Sequence, residues 1–88
     1  MKSDNKNNFS SPEFALGVTC LYFNIPLVAI ERVNESTQKV NFVFKRTPEL
    51  EQVVRDFWND ELSVAPKRWH ALSRDLKARI KNELTLGI

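Results

Sequence analysis

Phe14 to Ile30 reads FALGVTCLYFNIPLVAI, seventeen residues without a charge. Its first part is a helix expected from Pro12 to about Asn24. Ser11 can cap a free N–H, Pro12 suits the first helical position, and Glu13 complements the positive end of the dipole. At 100° per residue, Phe14, Val18, Leu21 and Ile25 form one apolar stripe, with Gly17 and Tyr22 beside it. Leu16, Cys20 and Phe23 form a second stripe on the far side. A helix apolar on two faces is buried on two faces. Either this helix is central to the fold, or Leu16, Cys20 and Phe23 meet a protein partner or a second copy of the chain. Pro26 stops it, since proline lacks a donor and disfavours helix in the residue before it. The run is shorter than the roughly 20 residues a membrane-spanning helix needs, and Asn24 and Pro26 interrupt it. The polar segment before it, with Asp4 and Glu13, does not fit a signal peptide.

Upstream, Met1 to Ser10 is rich in Asn, Ser and Lys and reads as a flexible tail, with Phe9 positioned to fold back near the helix start. Downstream the period changes. Leu27 to Val33 reads as a strand, Asn34 to Gln38 as a polar loop, and Lys39 to Lys45 as the clearest strand in the chain. There Val40, Phe42 and Phe44 alternate with Lys39, Asn41, Val43 and Lys45, so one face is buried and the other wet. Together they form an antiparallel hairpin. A two-stranded sheet is marginal alone; it leans on helices or pairs with a second hairpin across a dimer. Lys39 and Lys45 would guard the edge of the second strand.

Arg46-Thr47-Pro48-Glu49 repeats the helix-start chemistry. Leu50, Val53, Val54, Phe57 and Trp58 then give an amphipathic helix of about eleven residues, closed at Asn59. After a short connector, Pro66 opens a last helix reaching about Leu84, with Trp69, Leu72, Leu76, Ile80 and Leu84 as its seam. The expected fold is a small α+β domain over residues 11–88, in the order α-β-β-α-α, with an antiparallel β-hairpin packed on helices.

The 88 residues suffice for one modest core. A net charge of +2 permits an anionic partner without demanding one. A single cysteine, Cys20, excludes an internal disulfide and any cysteine-rich metal site, and reads as a small core residue in a reducing compartment. With one histidine and two glycines there is no phosphate-cradling loop, no glycine-bounded nucleophile and no Cys/His metal spacing. His70 and Asp75 do not share a helix face. Neither catalysis nor a cofactor or metal is expected.

Charge is segregated. From Glu49 to Glu61 five acidic residues face one basic; from Lys67 to Lys81 six basic residues face one acidic. On the last helix Lys67, His70, Arg74, Lys77 and Lys81 fall within a narrow arc away from the seam, while Arg68 and Arg79 flank the seam. Asp75 and Arg79 are spaced to pair. Lys67 and Arg68 sit in the first helical turn, where the dipole disfavours cations and free N–H groups suit a phosphate. This pattern predicts a non-catalytic module contacting nucleic-acid phosphates through Lys67, Arg68, His70, Arg74, Lys77 and Lys81. The alternative is a protein-interaction module or homodimer, using Leu16, Cys20 and Phe23 or the hairpin edge.

Several stretches carry a resemblance: Phe9-Ser-Ser-Pro-Glu-Phe14, Ile30-Glu31-Arg32, Val40 to Phe44, Asp56-Phe57-Trp58-Asn59, Val64 to Trp69, and Leu76 to Ile80. Together they resemble a family of short bacterial and phage proteins catalogued only as a domain of unknown function, over about Phe9 to Ile80. That pattern often has glycine after the middle helix, where this chain has Asp60. The resemblance implies a prokaryotic or mobile-element setting in the cytoplasm, and brings no activity or site residue with it.

Overall fold

The computed structural model describes residues 7–33 and 39–86. The polar loop expected at Asn34 to Gln38, and the first six residues of the expected tail, lie outside the described residues. The elements are β1 (Asn8–Ser11), α1 (Phe14–Tyr22), β2 (Leu27–Arg32), β3 (Val40–Lys45), α2 (Pro48–Trp58) and α3 (Pro66–Leu86). The α-β-β-α-α order of this α+β domain holds, with one strand placed before it.

That strand corrects the tail reading for its last residues, Asn8 to Ser10. Asn8–Ser11 pairs antiparallel with β3, placing Phe9 opposite Phe44 and Ser11 opposite Phe42. Arg46 N–H extends the ladder to Asn7 O at 2.8 Å. β2 lines the other side of β3, with Ile30 opposite Phe42 and Arg32 opposite Val40, and a bulge at Val28. The sheet order is therefore β1-β3-β2. β3 is the central strand, so Lys39 and Lys45 guard no edge; the free edges belong to β1 and β2. The hairpin finds its third strand within its own chain rather than in a second copy.

The alternation along β3 holds on one side, where Val40, Phe42 and Phe44 are buried in the core. Val43 faces the other way, yet is only 6% exposed. It sits mid-sheet, between Ser10 on one neighbour and Ala29 on the other.

α1 is the pivot. Leu16, Val18 and Cys20 are buried together with Phe42, Phe44, Leu50, Val53 and Leu76, so sheet, α2 and α3 all close on it. Phe14 meets Phe42 edge-on, with ring centroids 6.4 Å apart. The close approach is made at Gly17. A Cβ there would stand 3.2 Å from the Phe42 ring and 3.4 Å from Leu76 Cδ2, between sheet and α3. The helix starts two residues later than Pro12. Its N-cap is Glu13, whose N–H is accepted by Ser11 Oγ at 3.2 Å.

Both shorter helices end in the same motif. After α1, Asn24 N–H reaches Leu21 O and Ile25 N–H reaches Cys20 O; after α2, Asp60 N–H reaches Phe57 O and Glu61 N–H reaches Asp56 O. These paired 5→2 and 6→1 bonds are Schellman closures, which need one left-handed residue, usually glycine. Here Asn24 (φ 63°) and Asp60 (φ 59°) take that conformation. Asn59, expected to do so, stays at φ −90°. At the other end of α2, Thr47 Oγ1 accepts Leu50 N–H at 3.0 Å, as the Thr-Pro-Glu start requires. Leu50 and Val53 are buried, but Trp58 is 62% exposed. It belongs to the helix end rather than to the seam, and packs edge-on against Phe57 with centroids 5.0 Å apart.

Candidate functional site

α3 is held on α1 from one side. Leu76 is fully buried, and Trp69, Leu72, Ile80 and Leu84 pack against the core beside it. Two polar contacts fix its N-terminal half. Trp69 donates its indole Nε1–H to Thr19 Oγ1 at 3.2 Å, and that hydroxyl donates in turn to Ala15 O at 2.7 Å. Trp69 thus packs, partly buried, against the core with its one polar atom satisfied. Ala65 donates its N–H to the Tyr22 hydroxyl at 3.0 Å just before the helix begins.

Arg68 completes this clamp. Its guanidinium lies 4.2 Å over the Tyr22 ring and donates to Tyr22 O at 3.3 Å. Arg68 is nonetheless exposed, so these contacts hold it at the start of α3 without enclosing its charge. The other five residues of the expected site, Lys67, His70, Arg74, Lys77 and Lys81, are exposed as well. They follow one another at steps of three and four along a single line of the helix, a ridge roughly 21 Å long at the usual 1.5 Å rise. Lys77 leans toward the N-terminal end of α1, with Nζ 5.8 Å from the Phe14 ring centre. Asp75 and Arg79, spaced to pair, form no ion pair among the described residues.

The partner surface expected on α1 is overturned. Leu16 and Cys20 are 1% and 0% exposed, enclosed by the chain's own sheet and helices, and Phe23 is half-buried against the same core. Tyr22 and Phe23 pack edge-on at 5.0 Å. Burial pushes the Cys20 thiol up to about 12, so it is a protonated packing residue rather than a nucleophile.

Elsewhere the surface is shallowly grooved. A cleft of about 430 Å³ runs between Leu21 and the Leu72–Arg79 stretch of α3. Another of about 190 Å³ lies by Phe9, Leu50 and Val54. At its mouth Arg46 bridges Glu51 at 3.5 Å, donates to Asn8 O at 3.3 Å and covers the Phe9 ring. That contact ties β1 to α2 and is structural. Among the described residues, no group of three or more His, Cys, Asp or Glu side chains could hold a metal ion. No helix among them is long and apolar enough to cross a membrane.

No curated protein and no solved structure matches the chain. A family profile matches residues 21–82, from the last turn of α1 through most of α3, and its description is a domain of unknown function. The match takes in β2, β3, α2 and the whole basic ridge, and on that basis the chain belongs to the DUF5659 family.

Proposed function

We propose that this protein is a non-catalytic binding module that contacts nucleic-acid phosphates through the outer face of α3. One observation carries the reading: Lys67, His70, Arg74, Lys77 and Lys81 stand exposed in a single line on a helix whose opposite side is locked into the core. A fixed row of cations releases counterions when it meets a polyanion. Binding of this kind tolerates sequence and weakens as salt rises. Arg68, exposed at the start of the same helix and stacked on Tyr22, stands beside this row rather than in it. A cytoplasmic, bacterial or phage setting goes with this reading.

The test is fluorescence anisotropy with a labelled oligonucleotide at low and moderate salt. Arg74→Glu combined with Lys77→Glu abolishes binding while the thermal unfolding midpoint stays within a few degrees of wild type. Unchanged affinity in that double variant refutes the proposal.

A second reading has its own observation. Two of the three large apolar side chains exposed among the described residues, Val28 and Val33, lie on or beside β2, an edge strand. Free edges accept a further strand, which supports a protein partner or a second copy at that place rather than on α1. Sedimentation of wild type against Val28→Lys decides it. A dimer that the substitution dissociates favours this reading, and a monomer at all concentrations removes self-association.

A further inference from the structure

We infer that the ridge on α3 is built for a double helix and not for a single strand. The inference rests on the proposed phosphate contact and narrows its ligand. Proteins that hold single strands combine a basic track with exposed aromatic faces on which successive bases stack. The ridge has the track and lacks the faces, because the chain itself has used every large ring beside it. Phe14 lies under the Lys77 ammonium at 5.8 Å, Tyr22 under the Arg68 guanidinium at 4.2 Å, and Trp69 is tied to Thr19 through its indole nitrogen. The exposed Trp58 is on α2, in sequence between Asp56 and the pair Asp60 and Glu61, carboxylates that repel a phosphate backbone. His70 is the one ring on the ridge, and a single imidazole offers one stacking partner rather than a platform.

What remains is a straight, rigid row of charge. Lys67 to Lys81 spans roughly 21 Å of helix, held from behind by Leu76 and the Trp69–Thr19 bond. A duplex presents a negative charge about every 1.7 Å of its axis, about twice the density of one strand. A rigid row gains most against a partner that is itself straight and densely charged. A flexible strand would have to be ordered along it without stacking to compensate. Ala71 and Ala78, exposed beside the ridge, leave room for close approach. DNA and RNA double helices share this phosphate chemistry, and separate arms of the test tell them apart.

The experiment measures anisotropy for one labelled sequence as DNA duplex, RNA duplex and each strand alone, between about 50 and 200 mM salt. The expected result is a duplex bound at least about tenfold more tightly than either strand. With Lys67, Arg74, Lys77 and Lys81 as phosphate contacts, log K against log salt has a slope of about −3.6 on the duplex. The tighter of the two duplexes identifies the preferred helical form. A single strand bound as tightly as duplex overturns the inference while leaving the phosphate reading intact. Absence of binding to every probe at the lowest salt overturns the proposed function itself, and the inference with it.

Discussion

α1 and α3 are built on opposite principles. α1 is nine residues long, carries no charge between its ends and is enclosed from several sides; α3 is twenty-one residues long, anchored along one seam and charged along the rest. Leu16, Val18 and Cys20 of α1 are inside, and the sheet, α2 and α3 are assembled around them. On α3 the burial is confined to Leu76, Ser73 and the partly buried residues of the seam, and the ridge is free of structural duties except where Lys77 leans on Phe14. A helix with no free face can only hold a fold together. A helix with a long free face can be altered there at little cost to stability, and that freedom is where binding chemistry can be placed.

The sharpest way to break the contrast is charge on each helix. Leu16→Asp buries an unpaired carboxylate in the centre and leaves no folded population by circular dichroism. A milder Leu16→Ala costs about 2–5 kcal/mol in urea unfolding. Alkali probes the same centre without mutation. The Cys20 thiol is raised to about 12 in the folded chain against 9.0 in the open one. A raised folded value means stability is complete below about pH 9 and is lost as pH climbs toward 12, by up to about 1.4 kcal/mol per unit. Cys20→Ala flattens that alkaline decline, which denaturant titrations at several pH values check.

Trp69→Phe tests the seam between the two helices. Losing the indole donor leaves the buried Thr19 hydroxyl short of one partner, for a loss of about 1 kcal/mol. The smallest effect is a gain. Asp60→Gly relieves a left-handed residue at the close of α2 and raises stability by roughly 0.5–1 kcal/mol, visible as a small rise in the melting temperature. A loss there would mean that the Asp60 side chain contributes to the connector.

The same contrast explains what could be read beforehand. Helix starts were legible because proline, threonine and glutamate act locally: Thr47 caps α2 as its sequence requires. The two apolar faces of α1 and the exposed ridge of α3 were legible from periodicity. β1 was not, since Asn8-Phe9-Ser10-Ser11 has little strand propensity of its own and is extended because β3 offers it a ladder. The helix closures at Asn24 and Asp60 were hidden because neither is glycine. Trp58 kept the spacing of the α2 seam but fell at the last residue of the helix, where it meets Phe57 and stays largely exposed. Arg68 looked like its basic neighbours. Only the fold brings it to Tyr22, forty-six residues away in sequence.

The pinch at Gly17 sets an order of events during synthesis. The glycine fits between Phe42 and Leu76, so the cavity around α1 is not closed until Leu76 has been made. At about 5–20 residues per second, a ribosome reaches Leu76 roughly 3–12 s after Leu16. For that interval the longest uncharged run of the chain is without its final cover, so the nascent chain is most exposed to chaperones and proteases before its last helix is made.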